Sequence, residues 1–151
     1  MAQSLSRLWT HLIFSTKHRF PFLSDKTIRI DMHEYLAMIL RKQDCETLIV
    51  NGVDDHVHAL FALSRTHSIA SVVKEIKRTS SGWIKALSPK LAKFHWQGGY
   101  GAFSVGQSNL MEVIRYIENQ EEHHKRVTFQ DEYRAFLKAY DIAYDERYVW
   151  D

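Results

Sequence analysis

Two histidines one residue apart, His56 and His58, stand at the start of an apolar run that continues to Leu63. A short apolar run predicts a buried strand, and side chains two positions apart on a strand project from the same face. Two imidazoles side by side on a rigid strand are a common way to hold a metal ion. The alternative is a strand in which two polar residues merely alternate with valine, because His-x-His alone is a short motif.

The composition favours one globular domain that spans residues 1–151, with 45% hydrophobic and 13% aromatic residues available for a core. The formal net charge is only +2, so any nucleic-acid surface must be local. The one cysteine, Cys45, cannot form an internal disulfide, and a reducing cytoplasm is therefore the expected compartment. No apolar stretch approaches the roughly 18 residues of a membrane span, so no membrane partner is expected.

Hydrophobic periodicity predicts strands and helices in a recognisable order. The predicted elements are a strand at 8–15, a helix at 26–41, a strand at 46–53, the histidine strand at 56–63, a helix at 69–87, a fourth strand within 96–105, a helix from 108 to about 125 and a last helix at 129–140. This β-α-β-β-α-β order predicts an α+β, ferredoxin-like antiparallel sheet followed by additional helices. The first and third strands are central neighbours in that arrangement, so the histidine pair should lie mid-sheet. We expect the aromatic tail, 141–151, to dock on the protein.

The third predicted helix carries Tyr116 and Gln120, which are four positions apart and therefore share one helix face. Tyr116 lies three positions after Val113 of the buried stripe and can point toward the edge of the sheet where the histidines lie. The alternatives are a packed core tyrosine with its hydroxyl at the surface, and a glutamine that is simply exposed.

A short chain with His-Val-His on a central strand and Tyr-x-x-x-Gln on a late helix resembles the single-tyrosine HUH transposases of the insertion-sequence-200/605 type, including their REP-associated relatives. Segments 16–19, 55–58, 96–105, 116–124 and 144–149 carry the resemblance in order. It extends over nearly the whole chain, and the combination of segments is specific although His-x-His is not.

The resemblance implies a site and a reaction. Tyr116 would be the nucleophile, and His56, His58 and Gln120 would hold a divalent metal, Mg²⁺ or Mn²⁺. The tyrosine would attack single-stranded DNA, become joined to the 5′ phosphate and release a 3′ hydroxyl, so that strands can be rejoined later without ATP. A metal on the phosphate would help, because a tyrosine with a pKa of about 10 is mostly protonated at neutral pH. Ligand softness alone would favour Mn²⁺, Co²⁺ or Zn²⁺.

The resemblance also implies partners. The family recognises a DNA hairpin near the end of a mobile element and acts as a homodimer in the cytoplasm of prokaryotic cells. In that dimer the tyrosine helix of one subunit completes the histidine pair of the other, so Tyr116 and His58 would lie far apart within one chain; the sequence leaves open whether this happens here. The candidate phosphate contacts are Lys17, Arg19, Lys77 and Arg78.

Two other functions stay open at the level of sequence. One is a non-catalytic, domesticated module that keeps the fold and binds hairpin DNA. The other is a metal-dependent hydrolase that uses the His-x-His pair with an activated water. A (β/α)₈ hydrolase is excluded by size, since that barrel needs about 250 residues.

Overall fold

The structure, a computed structural model, describes the whole chain from Met1 to Asp151. Its strands and helices are β1 (Trp9–Ser15), α1 (Lys26–Lys42), β2 (Thr47–Gly52), β3 (His56–Ala62), α2 (Ile69–Leu87), β4 (Gly101–Ser104), α3 (Leu110–Glu118), α4 (Gln120–His123) and α5 (Phe129–Ala139). Single 3₁₀ turns occupy Lys17–Arg19, Pro89–Leu91 and Gln107–Asn109. None of the helices combines the length and apolar character needed to cross a bilayer.

The four strands form one antiparallel sheet in the order β2-β3-β1-β4. This confirms the predicted α+β, ferredoxin-like arrangement, with β1 and β3 as the central pair. In their register Ser15 lies opposite His56, and Ile13 lies opposite His58. The histidine pair is therefore held on a strand that is hydrogen-bonded on both sides, which makes it a rigid platform.

Strand alternation divides the side chains of the sheet between two covered faces. The larger core packs on one face against α1 and α2 and includes Leu12, Phe14, Val57 and Phe61. The opposite face is covered by α3, α4 and α5. It carries the alternate side chains of the two central strands: His11, Ile13, His56, His58 and Leu60. The histidines therefore lie between the sheet and the C-terminal helices, in a layer of their own.

The two long helices begin where the sequence indicates. Asp25 caps α1 by accepting from the backbone N–H groups of Thr27 and Ile28, and Ser68 caps α2 by accepting from that of Ser71. Helix α2 has the predicted bounds, Ile69–Leu87.

The third helix differs from the prediction of one continuous helix from residue 108 to about 125. It begins at Leu110, without a side-chain cap from Ser108, and ends at Glu118. Asn119 leaves the helical conformation, with φ −94° and ψ 22°, and a separate turn, α4, follows. Periodicity did not reveal the break because Ile117 and Gln120 are buried on either side of it, as they would be in one helix.

The tail after α5 docks in part, as expected. Trp150 packs beside Phe129 and Tyr133 of α5, and the backbone carbonyl of Asp151 accepts from the N–H of Gly99. Tyr148, in contrast, remains mostly exposed.

Candidate active site

His56 and His58 are fully buried, and both rings face α3–α5. The Nδ1 atom of His56 lies 2.7 Å from a carboxylate oxygen of Asp55, which can only accept. Nδ1 therefore donates to Asp55, and the other ring nitrogen, Nε2, points into the site. A carboxylate behind a histidine is the arrangement that orients metal-binding imidazoles in proteins.

His58 has a partner that the sequence interpretation did not identify. Nδ1 of His58 lies 2.8 Å from Nε2 of His11, which is also buried and comes from the neighbouring strand β1. Burial lowers the pKa of His11 to about 3 and that of His58 to about 4, so both rings are neutral at pH 7. Strand alternation places His11 on the same face of β1 as Trp9 and Ile13, and this face of the sheet also carries His56 and His58. That position was the signal for His11 in the sequence.

Helix α3 brings Tyr116 to the histidines of its own chain. The ring centroids of Tyr116 and His58 are 5.8 Å apart. The expectation that these two residues lie far apart within one chain is wrong in this structure. The reason is that α3 docks on its own sheet, through Ile117 packing near Leu60 and a 2.9 Å hydrogen bond from the Asn51 side chain to the Ile117 carbonyl.

Gln120 lies at the same site, beyond the break that ends α3. Its side chain is fully buried, contrary to the alternative of simple exposure. Oε1 of Gln120 is 3.4 Å from Nε2 of His56, and its Nε2 atom donates to the Tyr116 carbonyl at 3.4 Å. The structure thus brings together all four residues predicted for the site: Tyr116, His56, His58 and Gln120.

Two further residues enter the site without having been predicted as ligands. Glu132 of α5 is 3% exposed, and its Oε1 atom lies 2.9 Å from Nε2 of His58. Nε2 of His124 lies 3.0 Å from Nε2 of His56 and 3.2 Å from Oε2 of Glu132. Glu132 lies on the buried face of α5, together with Phe129 and Tyr133. A carboxylate on an apolar stripe was the signal that could have been read from the sequence.

The carboxylate of Glu132 is the electrostatic centre of the cluster. Burial by itself raises the pKa of Glu132, but hydrogen bonds with His124, His56 and His58 outweigh it and hold this pKa well below its usual range. Burial likewise lowers the pKa of His56, whereas Asp55 and Glu132 together raise it to about 9. The site therefore contains an ionised carboxylate that faces a positively charged imidazole.

The Tyr116 hydroxyl donates to Oε2 of Glu132 and lies 3.3 Å from Nε2 of His123. Burial and the neighbouring Glu132 carboxylate raise the pKa of Tyr116 above that of a free tyrosine. The hydroxyl is thus protonated in this arrangement. A hollow of about 410 Å³ reaches it from outside and is lined by Tyr116, His123, Glu132, Phe136 and Tyr140, among others.

The donor set fits a divalent metal. One ligand atom from each of His56, His58, His124 and Glu132 lies within 4.8 Å of all the others, and Gln120 adds an amide oxygen at the edge of this group. Imidazole nitrogens with one carboxylate suit Zn²⁺, Mn²⁺ or Fe²⁺ better than Mg²⁺ by ligand softness. The cluster could therefore hold a metal ion.

The candidate phosphate contacts lie on two adjoining hollows that do not include His56 or His58. Lys17 lines one hollow of about 490 Å³, and Arg78 lines another of about 420 Å³, with Trp96 and Gly98 common to both. Lys17 is exposed, and Arg78 is exposed in an ion pair with Glu75 at 2.8 Å. These two hollows together are called the basic groove below.

Two of the candidates, Lys77 and Arg19, are less available to contact DNA because they already have partners within the protein. Nζ of Lys77 donates to the backbone carbonyls of Gln97 at 2.8 Å and Gly99 at 2.6 Å, and burial lowers the pKa of Lys77 to about 8. The predicted phosphate contact of Lys77 therefore competes with a structural role. The guanidinium of Arg19 lies 5.9 Å from the centre of the Trp150 ring and is half-buried.

Comparison with known proteins agrees with the fold. A model of the IS200-like transposase family matches residues 4–120 of this chain, which therefore belongs to that family. The ISDra2 transposase TnpA of Deinococcus radiodurans is 25% identical in a 115-residue alignment that covers 73% of this chain and 81% of that protein.

Two solved structures are similar. A crystal structure from Deinococcus radiodurans R1, described as that of a candidate transposase, has a TM-score of 0.61 at 25% identity and covers 80% of this chain and 95% of that one. A REP-associated tyrosine transposase bound to a REP hairpin has a TM-score of 0.60 at 15% identity and covers 84% of this chain and 76% of that one; it shares the fold. The chain is accordingly an insertion-sequence-200/605-type transposase.

Proposed function

We propose that this transposase cleaves and rejoins single-stranded DNA at the ends of an insertion sequence through a covalent 5′-phosphotyrosine intermediate. Tyr116 is the nucleophile, and His56, His58 and Gln120 hold a divalent metal, Mg²⁺ or Mn²⁺, at the scissile phosphate. The observation that carries the proposal is the meeting of the Tyr116 hydroxyl and His58 Nε2 at the two oxygens of one carboxylate, Glu132. A phosphate group has a similar size and charge and can be contacted from both sides in the same way.

Cleavage and rejoining need no external energy source, because the phosphotyrosine bond replaces the phosphodiester bond that is broken. The Tyr116 oxygen forms a bond to phosphorus and loses its proton, and the bond from phosphorus to the 3′ oxygen breaks. The leaving oxygen takes up a proton and departs as a 3′ hydroxyl. A later attack by a 3′ hydroxyl on the phosphotyrosine reverses these steps and rejoins the strands. A divalent metal held by His56, His58 and Gln120 would withdraw negative charge from the phosphate and help to orient it for attack by Tyr116.

The protein contributes orientation and a water-poor environment. His56 and His58 are buried on a central strand, so they can fix the phosphate without rearranging during the reaction. Tyr116 is half-buried and reached by the 410 Å³ hollow, which gives a DNA strand a route to the hydroxyl. Placement of the reacting groups close to the geometry of attack can account for a large part of the reduction in a catalytic barrier.

Hairpin DNA is the proposed ligand of the basic groove. Lys17 and Arg78 offer exposed cations to phosphates, and Lys74 lies on the same side of α2. Arg19 and Lys77, which are held by Trp150 and by backbone carbonyls, would act mainly by shaping the groove. Contacts to phosphates fix affinity and register and carry little sequence information.

A homodimer is proposed from the family resemblance, with each chain using its own tyrosine because Tyr116 already lies beside His58. Mixing Tyr116→Phe with His58→Ala tests this arrangement. Sites completed by a neighbour would regain cleavage in the mixed dimer, whereas sites within one chain would stay inactive.

The central experiment is incubation of the protein with single-stranded hairpin DNA and Mn²⁺, followed by denaturing electrophoresis. We expect a protein–DNA adduct that survives denaturation and disappears in Tyr116→Phe. The matched control is Tyr148→Phe, because that tyrosine is exposed and does not line the hollow at Tyr116. An adduct that persists in Tyr116→Phe would refute the nucleophile.

Two other results would favour the alternatives. Tight hairpin binding with no cleavage in any divalent metal would indicate a binding module. Cleavage that leaves no covalent adduct in the wild-type protein would indicate a hydrolase that activates water.

A further inference from the structure

Two of the residues that converge on the site come from a part of the chain outside the matched family region. That match ends at residue 120, whereas His124 follows α4 and Glu132 lies on α5. Both are nonetheless packed against the histidine strand, and Glu132 is buried to 3% exposure. The C-terminal segment thus adds donors to a site that the family region already provides.

The hydrogen bonds behind the rings aim the ligand atoms of His56 and His124 at each other. Nδ1 of His124 lies 2.7 Å from the carbonyl oxygen of Val127, and Nδ1 of His56 lies 2.7 Å from a carboxylate oxygen of Asp55. Both partners can only accept, so both Nδ1 atoms must be donors. The two Nε2 atoms, the ring nitrogens left to bind a cation, therefore face each other across 3.0 Å. Such a pair is repulsive unless a cation lies between them, which is a proton in the free protein or a metal ion when one is bound.

The spacing suits a metal ion. Ligands about 2.1 Å from a tetrahedral ion are roughly 3.4 Å from one another. His58 Nε2 and Glu132 Oε1 are 2.9 Å apart, His124 Nε2 and Glu132 Oε2 are 3.2 Å apart, and His56 Nε2 is 3.5 Å from Glu132 Oε1. Three imidazoles and one carboxylate would complete the coordination of a four-coordinate ion such as Zn²⁺ and leave little room for a phosphate.

We propose that the DNA-free protein binds its metal through His56, His58, His124 and Glu132. When DNA binds, the scissile phosphate replaces Glu132, and Gln120, 3.4 Å from His56 Nε2, joins the histidines as a ligand. This inference rests on the proposed function. Glu132 contacts both the metal-binding ring of His58 and the hydroxyl of Tyr116, which are the two groups that must contact the phosphate during cleavage. The Glu132 carboxylate therefore occupies the position proposed for the phosphate, and the Glu132 side chain must move aside before the reaction.

The first test measures binding of Mn²⁺ alone to the DNA-free protein by electron paramagnetic resonance. Glu132→Gln and His124→Gln should each weaken Mn²⁺ binding by about 10-fold or more, as expected for the loss of a coordinating group. Asp131→Asn makes the same chemical change at the adjacent, exposed position and should leave Mn²⁺ affinity unchanged. Wild-type affinity in both Glu132→Gln and His124→Gln would overturn the assignment of these ligands.

The second test examines the exchange with DNA. In a Tyr116→Phe background, which cannot form the adduct, Glu132→Gln should weaken Mn²⁺ binding without DNA and have little effect once hairpin DNA is bound. The same substitution should tighten hairpin binding. An equal loss of Mn²⁺ affinity with and without DNA would show that Glu132 stays on the metal and would overturn the exchange.

Two controls keep the outcomes separable. Thermal melting of each metal-free variant shows whether the fold is retained, and Glu132→Asp, which keeps the charge but shortens the side chain, should bind Mn²⁺ with intermediate affinity. Failure of the proposed function appears separately, as the absence of a Tyr116-dependent adduct. A normal adduct with unaltered Mn²⁺ binding in the Glu132 variants would reject this inference alone.

Discussion

His11 and His58 face each other from the two central strands, with Nε2 of His11 2.8 Å from Nδ1 of His58. This contact fixes the orientation of a ring whose other nitrogen points into the candidate active site. A metal-binding histidine depends on such a partner for its tautomer and for its orientation. His11 is therefore assigned as a positioning residue that acts through His58.

Replacement of His11 by alanine should weaken divalent-metal binding by about 10- to 100-fold, because the His58 ring loses its partner. Titration with Mn²⁺, monitored by electron paramagnetic resonance, measures the change. His11→Gln, which keeps a hydrogen-bonding side chain, should recover part of the affinity. His95→Ala is the matched control, because His95 is exposed and is not a member of the cluster. Equal affinities for His11→Ala and the wild type would contradict the role of His11.

Lys77→Met should destabilise the fold as well as any DNA complex. The ammonium donates to the carbonyls of Gln97 and Gly99, which would be left without this donor, so the free energy of unfolding should fall by about 1–3 kcal/mol. Urea denaturation measures this. Lys74→Met removes the same charge from an exposed position one turn earlier and should leave stability nearly unchanged. Equal stability of the two variants would refute the structural role of Lys77.

His33 should make stability depend on pH. It is buried in α1, its Nε2 atom has no hydrogen-bond partner, and burial together with Arg29 lowers its pKa from 6.5 to about 4. Between these pH values the unfolded chain protonates His33 and the folded protein does not, so the free energy of unfolding falls as the pH is lowered through this window. The loss from this one group is at most about 3 kcal/mol.

His33→Leu removes this titration and should flatten the stability curve between pH 6.5 and about 4 relative to the wild type. Chemical denaturation at a series of pH values measures the difference between the two proteins, in which the contributions of the other histidines cancel. Parallel curves for the two proteins would show that His33 does not titrate differently on folding.

Gly101→Ala should loosen the docking of α5. A Cβ atom there would lie 2.5 Å from Cε2 of Tyr133 and 2.9 Å from Cε2 of Phe103, so these rings would have to shift. We expect a loss of about 1–3 kcal/mol in the free energy of unfolding. Gly82→Ala is the contrasting substitution, because nothing lies within 4 Å of a Cβ on that exposed face of α2. It should stabilise the protein by about 0.5–1 kcal/mol. Thermal melting compares both variants, and a Gly101→Ala protein as stable as the wild type would contradict the close packing.

The sequence predicted the sheet and the long helices because each carries a strong local signal. Helix α2 has a regular apolar stripe and a serine cap, and β3 has a continuous apolar run. The pairing of β1 with β3 followed from the order of elements, since that order restricts the ways in which a sheet can close.

The site was predicted only in part, for a physical reason. His56, His58, Tyr116 and Gln120 belong to short segments that are recognisable by resemblance. Glu132 approaches His58 from 74 positions away, and this proximity is a property of tertiary packing that no local pattern encodes. The placement of Tyr116 beside its own histidines likewise depends on how α3 docks, and periodicity defines only the face of a helix.

The separation of the ligands along the chain also couples metal affinity to tertiary structure. His56 and His124 are 68 positions apart, so the four-ligand site exists only in molecules whose C-terminal helices are docked on the sheet. The apparent affinity for metal is the intrinsic affinity multiplied by the fraction of docked molecules. A substitution remote from every ligand, such as Gly101→Ala, would thus register as a weaker metal site. Metal titration would then measure the free energy with which the C-terminal helices dock on the sheet of this transposase.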